Sequence, residues 1–218
     1  MSTPLSFGLI GVGWIGGFHA KTLADRLPDV RLAAVADPDP AAAARLKAPR
    51  AYADVAARVK PWTIFNETLI HDFDTLCWLN PGAQVTQVYA QADALVHPQL
   101  ADTGFLDTAV VQIRFDNGAF AIAEASFQAV YGYDVRGKVF GSGGVLLAGR
   151  APEHAATGNT DLFADAYVAQ FAHFVDYVRT RAEPSVTGRD ARVALELAPA
   201  ARESVRTGAP VLLNAVLR

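Results

Sequence analysis

Glu67 and His71 stand four residues apart in the run Glu67-Thr68-Leu69-Ile70-His71. On an α-helix that spacing puts a carboxylate and an imidazole on one face, one turn apart. A carboxylate against a histidine fixes the ring tautomer and raises its pKa, making it a proton donor and acceptor toward a hydroxyl or carbonyl. A surface ion pair on an ordinary helix is the plain alternative. The second constellation is Gly11-Val12-Gly13-Trp14-Ile15-Gly16, which follows the apolar run Phe7 to Ile10, with Asp37 at the end of the next apolar run, Arg31 to Ala36. Gly11 allows a tight turn, Gly13 lets the backbone approach a pyrophosphate, and Gly16 lets the helix pack closely on the strand. The phosphates then sit on the helix N-terminus, at Trp14 and Ile15. An acid at Asp37 hydrogen-bonds an adenosine ribose 2'-hydroxyl and repels a 2'-phosphate, so NAD is favoured and NADP disfavoured. A glycine-rich turn without a ligand is the competing reading.

The remaining candidates are weaker. Asp72 and Asp74 crowd the turn that carries His71 and are read as capping groups rather than metal ligands. Tyr131 and Tyr133 flank Gly132 at a strand end, as pocket-lining residues or as ordinary sheet aromatics. Trp62, Phe65, Cys77 and Trp78 are read as core, and His173 as solvated. The histidines at 19, 71, 97, 154 and 173 lack the paired spacing of a zinc site, and with one cysteine there is no Cys-x-x-Cys element. Metal is not indicated.

The elements that must position these groups read as strand, glycine turn, helix and strand over the first 37 residues, then an alanine-rich helix-forming stretch from Asp39 to Lys47. A weak helical signal follows between Pro49 and Lys60, and Pro61 to Phe65 leads into a helix from Glu67 to Leu79. No further parallel strand is visible. Each strand-plus-helix step takes roughly 20 to 30 residues, so a complete six-stranded dinucleotide domain needs on the order of 120 to 160. From Gln84 the period becomes that of strands: Val85 to Val96, Thr108 to Phe115, Ala119 to Phe127, Asp134 to Phe140 and Val145 to Ala148, with Asp116-Asn117-Gly118 as a hairpin turn. These form a largely antiparallel sheet. Phe163, Tyr167, Phe171, Phe174 and Val178 share one helical face that packs on a sheet, and Asp190 to Arg206 is a second helix, interrupted or kinked at Pro199 and closed by Gly208 before a strand at Val211 to Leu213. The fold class is α/β, with a truncated dinucleotide-binding unit at residues 1–60 and an α+β domain with an open, largely antiparallel sheet at 61–218. Two late helices cover only one face of that sheet, so the other is expected to bury against a second copy, as a homodimer or homotetramer.

Composition agrees with a small-molecule protein. The chain has 218 residues, 51% of them hydrophobic, a formal net charge of -3 and a mean hydropathy of +0.18. With scattered Lys and Arg there is no basic footprint for nucleic acid or an anionic membrane. There is no apolar run of spanning length and no signal-like N-terminus, and the lone Cys77 cannot form an internal disulfide, so a cytoplasmic address is expected.

Four stretches, Gly8 to Ala20, Ile70 to Leu79, Tyr133 to Gly144 and Ala201 to Val211, resemble the Gfo/Idh/MocA oxidoreductases, whose members include inositol dehydrogenases. The resemblance implies an N-terminal Rossmann domain for NAD(P) and a C-terminal α/β domain supplying the substrate pocket and the oligomer interface. It implies hydride transfer between the nicotinamide and a secondary alcohol carbon of a polyol or sugar. The family's Asp-x-x-x-His catalytic pair falls on Glu67 and His71, a longer carboxylate in place of Asp. Its Glu-Lys-Pro segment is matched in two letters by Lys60-Pro61, which makes Lys60 the candidate for the catalytic lysine. No strand precedes it; the junction near Val59 has the look of an internal deletion of roughly a hundred residues, counted in missing strand-helix steps. The alternative is a shortened, non-catalytic relative serving as a dimerising or small-molecule-binding module.

Overall fold

The computed structural model describes residues 3–39, 60–128, 134–149 and 163–213. They cluster into two compact units, each built from two stretches of chain: Met1–Ala51 with Val130–Pro184, and Tyr52–Ala129 with Ser185–Arg218. The contacts therefore interleave the chain instead of dividing it once between residues 60 and 61. The alanine-rich stretch after Asp39 and the junction near Val59 lie outside the described residues.

In the first unit β1 (Leu5–Ile10), α1 (Trp14–Asp25) and β2 (Val30–Ala36) form the expected strand-helix-strand, and the two strands pair in parallel from Leu5↔Val30 to Ile10↔Ala36. Leu5, Phe7 and Leu9 alternate onto the partly buried face of β1. Phe7 is covered by α3 (Ala164–Thr180), whose Phe171 and Phe174 rings meet it edge-on with centroids 6.2 and 6.0 Å away. Tyr167 and Phe171 flank His19 of α1 at 5.0 and 5.1 Å. Arg26–Asp165 (2.9 Å) and Arg179–Asp29 (3.1 Å) fasten the same helix at its two ends. The aromatic stripe of α3 thus covers the parallel strands and α1, not the antiparallel sheet. Its one buried residue is Val175, between the half-exposed Phe174 and Val178. Strands β6 (Gly137–Gly141) and β7 (Gly144–Ala148) also differ from expectation, because they form a two-stranded ladder of their own. The tight Ser142-Gly143 turn pairs them with each other, Gly141 with Gly144, whose φ of +142° a side chain would disfavour.

The second unit holds the main core. A π-turn over Ile64–Thr68 runs into α2 (Leu69–Trp78), followed by β3 (Val85–Asp93), a 3-10 turn over Pro98–Thr103, β4 (Thr108–Phe115), β5 (Phe120–Ser126), α4 (Gly188–Thr207) and β8 (Val211–Leu212). The antiparallel sheet has the order β5-β4-β3-β8, so the last strand takes the edge beside β3. Alternation sends Ala109, Val111, Ile113 and Phe115 of β4 inward, where Leu69 and Phe73 of α2 and Leu197 and Ala201 of α4 join them in one buried cluster. Two helices do cover one face, but they are α2 and α4. On the other face Val110, Phe120 and Ile122 are 45%, 72% and 63% exposed.

Helix α4 begins at a capping box: the Thr187 hydroxyl accepts from the Arg189 amide, and Asp190 accepts from the Thr187 amide at 2.7 Å. It ends at Gly208, in the left-handed region at φ +66°. The helix runs through Pro199 without interruption. Buried Leu197, Ala198, Ala200 and Ala201 hold this stretch in the core, which offsets the missing amide donor. Ser204, 0% exposed, accepts from the Ala90 amide at 2.9 Å and donates to the Ala209 carbonyl at 2.8 Å. It satisfies β3 where the two-residue β8 no longer reaches.

Candidate functional site

The glycine turn is built as its spacing requires. Gly11 takes φ +88°, and its amide donates to the Ala36 carbonyl at 2.7 Å, closing the turn against the end of β2. A Cβ on Gly16 would collide with the Gly11 carbonyl oxygen and lie 2.9 Å from its carbon, so α1 can begin this close to the turn only with glycine there. Gly13 is the N-cap of α1 and meets the opposite condition: a Cβ there would have no atom within 4 Å. No side chain caps α1 and no acid sits in its first turn. The amides around Trp14 and Ile15 therefore face the exterior without an intrahelical acceptor, a cradle for an anionic group. Asp37 stands beside it: Oδ2 accepts from the Val12 amide at 2.7 Å and Oδ1 from the Asp39 amide at 2.8 Å. Each oxygen keeps a further lone pair for a ribose hydroxyl. Gly11, Gly13, Trp14, Ile15, Gly16 and Asp37 are thus gathered in one place, and this donor set fits a dinucleotide.

Glu67 and His71 lie in the second unit, both exposed, on either side of the junction between the π-turn and α2. Among the described residues no hydrogen bond or ion pair joins them. The wide turn explains this: the Leu69 amide bonds the Ile64 carbonyl five residues back, so α-helical i,i+4 stacking does not extend from His71 to Glu67. The carboxylate that senses His71 is Asp72, whose half-buried group is raised above the usual carboxylate range by burial, with its own backbone N–H and His71 acting the other way. Neither Asp72 nor Asp74 caps the helix; the N-cap is Thr68, without a side-chain bond. Asp74 instead helps to hold the Cys77 thiol high: burial, Asp74 and Asp190 push it up to about 11. Lys60 is exposed, and its carbonyl accepts from the amide and hydroxyl of Thr63 at 3.2 and 2.7 Å. It starts the turn that leads into the Glu67/His71 segment. Tyr131 and Tyr133 lie outside the described residues. His173 is exposed, as expected, and bonded to the Tyr177 hydroxyl. Trp78, expected in the core, is 69% exposed, whereas Phe65 is fully buried.

Two features escape the spacing argument. Trp62 adopts φ +68°, a left-handed conformation costly for an aromatic residue. Its ring stacks on Phe65 and lies under the Arg202 guanidinium, 5.7 Å from the centroid. Asp107, 0% exposed, accepts hydrogen bonds from the Leu95, Val96 and His97 amides and the Thr108 hydroxyl. Its position directly before the alternating run of β4 was the available signal, since an acid next to a buried strand end must find several donors.

One unit thus carries a glycine turn on a parallel strand pair, and the other an open antiparallel sheet backed by two helices. Residues 63–213 match the oxidoreductase family C-terminal alpha/beta domain of the Gfo/Idh/MocA proteins, and the chain belongs to that family. It is 36% identical over 165 residues to an uncharacterized oxidoreductase of Bacillus subtilis, covering 69% of this chain and 48% of that protein. It is 34% identical over 168 residues to a myo-inositol 2-dehydrogenase of Thermotoga maritima, covering 71% and 50%. In fold it resembles a scyllo-inositol dehydrogenase from Lactobacillus casei solved with NAD(H) and scyllo-inositol, with a TM-score of 0.82, 16% identity, and coverage of 96% of this chain and 99% of that one. The chain spans about half the length of the relatives it matches in sequence.

Proposed function

We propose that the protein is an NAD-dependent oxidoreductase acting on the secondary alcohol of a polyol of the inositol type. The observation that carries this reading is the glycine turn with its open Gly13 position and adjacent Asp37, in a chain 34% identical to an inositol dehydrogenase. Gly11, Gly13, Trp14, Ile15 and Gly16 hold the pyrophosphate, and Asp37 holds the adenosine ribose and excludes a 2'-phosphate. When bound, NAD supplies the hydride acceptor. His71 takes the hydroxyl proton as the carbinol carbon becomes a ketone, with Glu67 or Asp72 as its carboxylate neighbour, and Lys60 stands by as the second proton-handling group. The exposed face bearing Val110, Phe120 and Ile122 buries against a second copy in a homodimer or homotetramer.

The test is NADH formation against a panel of inositols, aldoses and sugar acids, with NADH fluorescence titration beside it. Turnover of at least one inositol is expected, and His71→Asn should remove it by roughly a hundredfold or more while leaving NADH affinity nearly unchanged. Asp37→Ser should narrow the preference for NAD over NADP. An absence of turnover across the panel, with no saturable fluorescence change, overturns the reading and leaves a binding or dimerising module. A monomer by sedimentation at tens of micromolar, where weak association shows, overturns the assembly.

A further inference from the structure

Asp107 stands apart from the residues assigned above. Its carboxylate accepts from three successive backbone amides, Leu95 at 2.9 Å, Val96 at 3.0 Å and His97 at 2.8 Å, and from the Thr108 hydroxyl at 3.0 Å. Its amide donates to the Asp93 carbonyl at 3.2 Å, and its carbonyl accepts from Phe127 at 2.8 Å. One residue thus ties the exit of β3, the entrance of β4 and the exit of β5 together. The His97 ring stands edge-on to Phe105, which packs in turn toward Phe127, and His97 Nδ1 lies 3.5 Å from Asp107 Oδ2 without a hydrogen bond. Burial by itself would raise the carboxyl; the Val96 and His97 amides, the Thr108 hydroxyl and the Leu95 amide outweigh it and hold the group below the usual range. An anion so placed sets the path of the whole 94–107 loop.

Gly104 of that loop, at φ +76°, passes close to Pro61: a Cβ at Gly104 would lie 3.2 Å from Pro61 Cβ. Pro61 directly precedes Trp62, whose carbonyl accepts from the Phe65 and Asn66 amides and so starts the turn that carries Glu67. We infer that Asp107 is a positioning residue: through the 94–107 loop and the close approach of Gly104 to Pro61 it fixes where the Lys60–His71 segment begins. The link to polyol chemistry rests on the function proposed above, whereas the mechanical link from carboxylate to helix start does not.

The experiment uses the full chain and two variants that load the relay at different points. Asp107→Asn keeps the side-chain volume but turns one acceptor into a donor that faces backbone amides; Gly104→Ala presses on Pro61 and strains the left-handed backbone at Gly104, and leaves the carboxylate intact. Hydrogen exchange should quicken about tenfold at the 95–97 amides in Asp107→Asn alone, and about tenfold at the Phe65 and Asn66 amides in both. Thr187→Ala, which weakens the cap of α4, is the control and should leave the Phe65 and Asn66 amides as they are. In inositol oxidation each relay variant should lower kcat several-fold with KM for NAD unchanged, and the double variant should be little worse than either one, as for groups acting in series. Faster exchange at 95–97 with none at 65–66, or additive losses in kcat, overturns the inference. If the unaltered protein oxidises no inositol, the function proposed above fails, and the exchange measurements alone decide the role of Asp107.

Discussion

Ser204→Ala isolates the hydroxyl that joins α4 to β3. The change removes one oxygen from a fully buried side chain and leaves the chain path free to stay as it is. It strands the Ala90 amide, itself 2% exposed, with no acceptor, since β8 pairs with β3 only at Gln87 and Val88. A buried amide without a partner costs about 1 to 3 kcal/mol, and the lost bond to Ala209 adds about 0.5 to 1.5 at most. Ala209 is exposed, so water takes over its carbonyl and the second contribution falls to the low end. The expected loss is therefore about 2 kcal/mol, roughly a thirtyfold drop in the folding equilibrium constant. With a urea slope of about 2 kcal/mol/M the midpoint should fall by about 1 M. Urea unfolding followed by circular dichroism measures the midpoint, and hydrogen exchange at Ala90 reports the amide directly. Ser126→Ala, on the exposed end of β5, should stay within about 0.5 kcal/mol of the unaltered protein. A Ser204→Ala loss no larger than that control, with Ala90 still protected, would refute the accounting.

The two glycines of the turn should separate stability from binding. Gly16→Ala, whose Cβ meets the Gly11 carbonyl, should destabilise the first unit and abolish NADH binding, whereas Gly13→Ala, whose Cβ meets nothing, should leave thermal stability within about 0.5 kcal/mol and weaken NADH tenfold or more by filling the anion cradle. Parallel thermal melts and fluorescence titrations check both. Burial holds His19 below the ordinary histidine value, so the folded chain binds fewer protons than the unfolded one; stability should be complete above that ordinary value and fall as pH drops through it, and His19→Phe should flatten the dependence in melts from pH 8 to 5. Cys77, with its thiol pushed up to about 11, should react with a thiol-specific disulfide reagent at pH 8 far more slowly than the unfolded chain does.

Much of this architecture is legible in short-range signals. The Gly11, Gly13 and Gly16 positions, the Asp116-Asn117-Gly118 hairpin and the Thr108 to Phe115 strand follow from local stereochemistry and alternation, and the structure has each of them in place. What escapes depends on partners distant in sequence. The α3 stripe announces an apolar face but not which sheet it covers, because Phe7, its partner, lies more than 150 residues away. Trp78 is a large apolar residue near the end of a helix, and only the packing of α2 decides that it faces outward. The Glu67/His71 spacing assumes an α-helical turn, whereas the chain makes a π-turn there, just after the left-handed Trp62. Pro199 reads as an interruption or kink until the burial of its neighbours is known.

The interleaving of the two units constrains how the chain can be synthesised. Phe7 leaves the ribosome well before the rings that cover it, those of Phe171 and Phe174, and the salt bridge of Asp29 waits for Arg179. At 5 to 20 residues per second the delay between Phe7 and Phe171 is roughly ten to thirty seconds. During that interval the nascent β1–β2 pair exposes an apolar flank and open strand edges, while β3, β4 and β5 are made before α4 and β8, which complete their sheet. A translational pause before α3 would lengthen this vulnerable period, and holdase chaperones would find their target in the first 39 residues.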